Sequence, residues 1–260
     1  SKEAAFEYQQ FTSVYKRKQD NENLSLQSQI KRLCAVKCFY QYLSESGKIE
    51  KSPFEFLNLP RGRKYAAQLS LSAQEVEEVL LQIEVNTSLG MRNRAILELM
   101  YSTGLRRSEI ANLNLYDIDM KEGIVIVKRG KGQKDRMVPV GDRAIGWIEK
   151  YLRHVRASLV RDNGVESLFL GRRGQSLNKS SITGIARRYM RMSEQKIGSC
   201  HIFRHTAATL MLRNGADIKS IAEMLGHSSL LSTQGYTHVE IGKMKEVHRK
   251  AHPSCYKEEE

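Results

Sequence analysis

Apolar residues recur every three or four positions along most of this chain, and the period shortens to two over one stretch. Leu26, Ile30, Leu33, Val36, Phe39, Tyr40 and Leu43 predict an amphipathic helix that Gly47 stops. Phe6, Phe11, Val14 and Tyr15 predict a looser helix before it. Ser72 with Glu75 reads as a capping box ahead of Val76, Val79, Leu80 and Ile83. Residues 90–103 predict an apolar helix through Ile96, Leu97, Leu99, Met100 and Tyr101, ended by Gly104. A new turn starts at Arg106-Arg107-Ser108-Glu109-Ile110. The period of two follows: Gly123–Lys128 and Arg136–Val140 predict two hairpin strands around a basic, glycine-bearing turn. Helices are expected again at about 142–158, 178–194, 202–213, 217–224 and 228–249, with a break near Gly235. The fold class this implies is mainly α with a small antiparallel β-sheet.

Charge narrows the partner. Lys and Arg number 42 and Asp and Glu 29, net +13, which makes nucleic acid the leading class. A merely basic or ribosome-associated protein is the competing reading. Residues 1–60 carry 9 basic and 7 acidic side chains and residues 61–260 carry 33 and 22, so the second part holds most of the electrostatics. The basic, breaker-containing stretch Arg61-Gly62-Arg63-Lys64-Tyr65 reads as a linker (61–68) between a helical domain (1–60) and a larger domain (69–260). Arg61, Arg63 and Lys64 are candidate phosphate contacts, and an ordinary exposed loop is the alternative. No run approaches the ~20 consecutive apolar residues of a membrane span. Cys34, Cys38, Cys200 and Cys255 are too few for a disulfide scaffold, which fits a reducing cytoplasm. Cys34 and Cys38, one helical turn apart, are expected to be buried free thiols rather than half of a zinc site.

Several familiar chemistries fail on inspection. Gly130-Lys131-Gly132 lacks the Ser/Thr after Lys and the strand-to-helix context of a phosphate-binding loop. His201 and His205 have a metal-pair spacing, but Ile202 stands where a metalloprotease needs Glu, and Arg204 lies between them. Gly226-His227-Ser228-Ser229-Leu230 is no nucleophile elbow. The segment from Ile218 to His227 resembles the start of a helix-turn-helix, which leaves a DNA-reading helix open there.

Tyr236 acquires interest from its company. A phenol with a pKa near ~10 is a poor nucleophile at neutral pH. It attacks a phosphodiester only where cations stabilise the charge on the non-bridging oxygens and acid–base groups move the protons. In order, the chain offers Arg106, Lys131, His201, Arg204, His227 and then Tyr236. His201 and Arg204 share one helix face.

With these segments in order, the chain resembles the tyrosine recombinases of the phage-integrase family, closest to the Xer-type branch and the transposon-borne resolvases. The resemblance runs from about residue 25 to 255. Thr103–Ile110, Gly130–Arg136, His201–His205, Leu225-Gly226-His227 and Tyr236–Val239 carry it. It implies that Arg106 and Arg204 clamp the scissile phosphate and that His201 takes the phenol proton or bonds the phosphate. His227 would bond a non-bridging oxygen, Lys131 would protonate the leaving 5′ oxygen, and Tyr236 would form a 3′-phosphotyrosyl bond. Glu109 would support the site from behind. Lys134, on the same turn, is the alternative acid and a DNA contact, and Arg107 is a further DNA contact. Neither a metal nor a cofactor is required.

By the same resemblance, residues 1–60 would be a core-binding domain that closes a clamp on DNA with the catalytic domain. A C-terminal helix bearing Ile241, Met244 and Val247 would dock on a neighbouring subunit, an intramolecular surface helix being the alternative. The expected enzyme is a site-specific recombinase acting on double-stranded DNA with an inverted-repeat site. It would work as a homotetramer through a Holliday junction, with or without an accessory or partner recombinase. The expectation of no separate arm-binding domain favours resolving DNA dimers or transposon cointegrates over phage integration. A non-catalytic DNA-binding protein of this fold, a mobile-element integrase and a tyrosine-type topoisomerase are the alternatives.

Overall fold

The computed structural model describes residues 2–17, 19–60, 70–128, 135–162, 164–194, 198–226 and 238–255; for 238–241, 243 and 255 this covers the backbone alone. The chain divides into two compact units, Ser1–Gln68 and Leu69–Glu260. Among the described residues, no helix is long and apolar enough to cross a membrane.

In the first unit, α1 (Lys2–Val14) and α2 (Leu26–Glu45) are joined by a loop that a Lys16–Asn23 bridge closes. Ser25 caps α2 by accepting from the Ser28 amide. The small core holds Ala5, Leu33, Phe54 and Leu57, with the Tyr40 ring stacked on Phe54 at 5.1 Å. The loose helix expected from Phe6, Phe11 and Val14 forms as α1; those three side chains are exposed, and α1 turns Ala5 and Thr12 inward. One expectation needs correction. Cys34 is half-buried and Cys38 exposed, because α2 buries only Leu33 fully and has little to pack its other faces against.

The second unit is built around one buried helix. After α3 (Ala73–Leu81), whose Ser72–Glu75 capping box forms as the sequence predicts, comes α4 (Ser88–Thr103). Residues Ala95 to Thr103 of α4 are buried on every side. A helix buried all round cannot be amphipathic. Its one interior carboxylate, Glu98, is fully buried between Arg94 and Arg143 at 2.8 and 2.9 Å. Burial raises the Glu98 pKa against the pull of both arginines.

Past α5 (Arg107–Ala111) and a 3-10 turn (Leu115–Asp117), three antiparallel strands follow in order β1 (Ile118–Asp119), β2 (Ile124–Val127) and β3 (Arg136–Pro139). The hairpin register pairs Val125 with Val138 and Val127 with Arg136. The short β1 was not legible in the sequence, since two residues carry no periodicity. The helix expected at 142–158 is α6 (Asp142–Tyr151), a π-helical turn (Leu152–Arg156) and α7 (Ala157–Leu159) in succession. Next come α8 (Lys179–Met192), α9 (Cys200–Arg213), α10 (Ile218–Leu225), α11 (His238–Ala251) and a 3-10 turn (Pro253–Cys255). The architecture is mainly helical with one small antiparallel sheet, as the sequence pattern implies.

Met244 of α11 is buried in this unit's own core, and Val247 packs against it. Those two residues therefore face inward rather than toward a neighbouring subunit. The side chain of Ile241 lies outside the described residues. Two buried histidines fasten the end of α11. The Nε2 atoms of His248 and His252 bond the carbonyls of Ser102 and Tyr101 at 2.7 and 3.0 Å. A carbonyl only accepts, so both rings carry their proton on Nε2. The two rings stack 4.8 Å apart, and burial pulls both below the usual histidine pKa.

Candidate active site

Four segments distant in sequence converge at the C-terminus of α10. The first is the junction of α4 and α5. Gly104 caps α4 in the left-handed region (φ 60°), reversing the chain so that Arg106 stands at the N-cap of α5. A side chain at 104 would also place its Cβ 2.6 Å from Leu225 Cδ2, so the buried Leu225 side chain would have to shift. The Arg106 amide donates to Glu109 Oε2 at 2.7 Å, and its Nη1 donates to Glu109 Oε1 at 3.1 Å.

The second segment is β3. Arg136, 2% exposed, donates from Nη1 and Nη2 to the two Glu109 oxygens, both at 2.9 Å. This two-pronged pairing is the strongest form of the guanidinium–carboxylate contact. Glu109 thus bridges a buried arginine and a half-exposed one. Burial raises its carboxyl, but the bond to and charge of Arg136, then the contacts with Arg106, outweigh that and leave it below the ordinary carboxylate pKa. It is an anion at neutral pH.

The third segment is the first turn of α9. His201 is exposed, and Arg204, one turn on, is half-buried. Arg204 Nη1 donates to Gly104 O and Nη2 to Leu225 O, each at 2.7 Å.

The fourth segment receives the others. Arg136 Nε donates to Met224 O at 3.0 Å, Arg204 to Leu225 O, and Arg106 Nη2 to Gly226 O at 3.4 Å. Three arginines from three elements hold three consecutive carbonyls where α10 ends at the left-handed Gly226 (φ 68°). The end of a helix carries unpaired carbonyls and a partial negative charge, which favours cations there. The Arg136 and Arg204 bonds contribute about 1.5–3 kcal/mol each as charge-assisted bonds, and the longer Arg106 contact less. The peptide that continues from Gly226 is His227.

The structure therefore brings together Arg106, Arg204, Glu109 and the backbone leading into His227. Arg106 keeps 40% of its side chain exposed, so its guanidinium is open to an anion from solvent. Arg107 points elsewhere: its Nη1 donates to Thr183 Oγ1 at 2.9 Å, tying α5 to α8. Lys131, Lys134, His227, Tyr236, Gly235, Arg61, Arg63 and Lys64 lie outside the described residues. Sequence reasoning missed Arg136 as a site residue. Its signal was an arginine at an inward position of an otherwise apolar strand.

A fold and cluster of this kind define a class. The phage integrase family model matches residues 70–242, and the chain belongs to that family. It is 38% identical over 258 residues to tyrosine recombinase XerC 2 of Ralstonia nicotianae, covering 99% of this chain and 74% of the relative. With tyrosine recombinase XerD of Pseudomonas aeruginosa it shares 37% over 224 residues, 85% of this chain and 74% of the relative. Among solved structures, the crystal structure of XerA recombinase superposes with TM-score 0.57 at 30% identity, over 96% of this chain and 84% of that one. XerH site-specific recombinase, bound to palindromic difH substrate in a post-cleavage complex, gives 0.68 at 23% identity, over 94% and 71%. The chain is a site-specific tyrosine recombinase.

Proposed function

We propose that the protein cuts and rejoins double-stranded DNA at an inverted-repeat site through a covalent 3′-phosphotyrosyl intermediate. One observation carries the reading: Arg106 and Arg204 are fixed on the adjacent carbonyls of Gly226 and Leu225, one peptide before His227. A phosphodiester bound between the two guanidiniums lies beside the residue that His227 follows in the chain. Their fixed charges stabilise the extra negative charge of the pentacoordinate phosphorane without reorganising during the reaction.

In this mechanism the Tyr236 oxygen attacks phosphorus as its proton passes to His201, at the exposed start of α9. The P–O5′ bond breaks, and Lys131 protonates the departing 5′ oxygen, with Lys134 as the alternative acid. His227 bonds a non-bridging oxygen. The phosphodiester is exchanged for a phosphotyrosyl ester of similar energy, so rejoining needs no added energy source. Glu109 acts through Arg106, which it holds from two sides.

Residues 1–60 form the core-binding domain and residues 69–260 the catalytic one, joined by the basic linker 61–68, whose Arg61, Arg63 and Lys64 contact DNA phosphates. Four subunits exchange one strand pair, pass through a Holliday junction and exchange the second. Similarity to Xer recombinases supports the separation of joined DNA circles as the biological outcome. The test is a nicked duplex bearing the site, incubated in EDTA and run on a denaturing gel. Wild type gives a covalent protein–DNA band and Tyr236→Phe binds without giving one; an equal band from Tyr236→Phe overturns the reading.

A further inference from the structure

A second arginine cluster lies between the start of α4 and the outer face of α8. There a cavity of ≈ 650 Å³ is lined by Arg92, Arg172 and Arg188, and shares no lining residue with the Arg106–Arg204 cluster. Glu84, exposed at the surface, is the one carboxylate-bearing residue among the described lining residues.

Arg92 sets this cavity apart from an ordinary basic patch. Its residue is only 6% exposed, and its bonds go to neutral acceptors. Nε and Nη2 donate to Asn93 Oδ1 at 3.2 and 2.8 Å, and Nη1 donates to Leu170 O at 2.9 Å. The Asn93 amide donates in turn to Tyr189 OH at 3.0 Å. Among the described residues no carboxylate lies within ion-pair distance of Arg92. The contrast with Arg136 is direct, since that buried guanidinium has both Glu109 oxygens. A buried charge without a counter-charge is costly. Burial pulls Arg92 below the usual arginine pKa, and the neighbouring Arg172 adds to the pull.

Two more features favour an anion. Arg172 and Arg188 bring further positive charge from two other parts of the chain. The first turn of α4, Ser88 to Gly90, also lines the cavity with its partial positive charge; Thr87 Oγ1 takes the Gly90 amide at 3.0 Å, which leaves the amides of Ser88 and Leu89 for an anion. Gly90 makes the tight entry possible, because a Cβ there would sit 1.9 Å from Glu84 O.

We propose that this cavity binds a phosphate group, held by Arg92, Arg172 and Arg188 and by the Ser88 and Leu89 amides that start α4. Three guanidiniums from separate elements and a helix start match the several oxygens of a phosphate better than the two of a carboxylate. The group belongs either to a free phosphate compound or to the DNA backbone.

The experiment follows the amide signals of Leu89 and Gly90 and the Asn93 side-chain amide by NMR, while inorganic phosphate replaces chloride at constant ionic strength. Binding at the Arg106–Arg204 cluster touches none of these groups. Wild type shows saturable shifts at all three. In Asn93→Asp the new carboxylate neutralises Arg92, and the apparent affinity read at Leu89 and Gly90 falls about tenfold, equivalent to ~1.4 kcal/mol. The exposed Arg188→Gln weakens it too, without disturbing the core. Absence of shifts in wild type, or equal affinity in wild type and both variants, overturns the proposal. A second arm adds a duplex of unrelated sequence. If the duplex shifts the same amides, the phosphate is that of DNA; if free phosphate alone does so, it is a free compound.

Discussion

Replacing Glu109 with glutamine keeps the side chain's shape and removes its charge. In the native protein this carboxylate takes both prongs of Arg136, the Arg106 guanidinium and the Arg106 amide. An amide oxygen can accept from one prong, but its NH₂ faces the other donor. Arg136, 2% exposed, then holds an uncompensated charge, for which breaking a buried pair costs about 3–5 kcal/mol. For a unit the size of Leu69–Glu260, each kcal/mol lowers Tm by ~2–4 °C, so the expected drop is about 10 °C. Arg106 also loses the contacts that set its rotamer, and cleavage should slow by about 10²-fold. Calorimetry and single-turnover cleavage read the two effects separately. A double variant with methionine at 109 and 136 removes both charges, and should recover much of the Tm but none of the cleavage. A Glu109→Gln variant that melts within a degree or two of wild type, or a double variant that is the less stable, would refute a buried Arg136 charge held by Glu109.

Three other perturbations bear on the same architecture. Gly104→Ala combines left-handed strain of about 1–2 kcal/mol with the clash on Leu225, so it should lower Tm, and Leu225→Ala should restore part of the loss; no restoration would place the cost elsewhere. The pKa values of His248 and His252 are lowered in the folded state, so the unfolded chain binds more protons as pH falls. Their stabilisation is therefore complete above the unfolded value near ~6.5 and declines as pH falls from there through the lower folded values, with a limiting slope of about 1.4 kcal/mol per pH unit for each. Denaturant melts of wild type and His252→Gln from pH 8 to 5 should diverge in slope. Glu109 acts in a lower window: its contribution holds above the unfolded carboxylate pKa near ~4.3 and is lost as pH falls through its lower folded value, a loss that Glu109→Gln should not show.

Local signals in the sequence read well because they rest on local physics. The Ser72–Glu75 box, the Gly104 stop and the strand pair on either side of 129–135 each depend on a few neighbouring residues, and each forms. Arg106 and Arg204 were legible because their residue type suits phosphate chemistry, and Glu109 because of the family resemblance. What ties them together was not. The carbonyls of Met224, Leu225 and Gly226 have no side-chain signature, and Arg136 meets Glu109 across a strand and a helix. Burial was misread where a neighbour was assumed. Cys34 and Cys38 sit on a helix of a small unit with too little partner surface to cover them. Met244 went the other way, into its own core, because His248 and His252 anchor α11 there.

The central claim is that Arg106 serves the charge on the scissile phosphate. A substrate carrying a neutral methylphosphonate at that position removes the charge that Arg106 would stabilise. Cleavage of phosphate and methylphosphonate duplexes by wild type and Arg106→Ala tests the claim with four rates. Arg106→Ala should be nearly inert on the phosphate and recover substantial cleavage on the methylphosphonate, with Tyr236 forming the covalent bond. Equal loss on both substrates would contradict the account and assign Arg106 to holding the fold or the DNA.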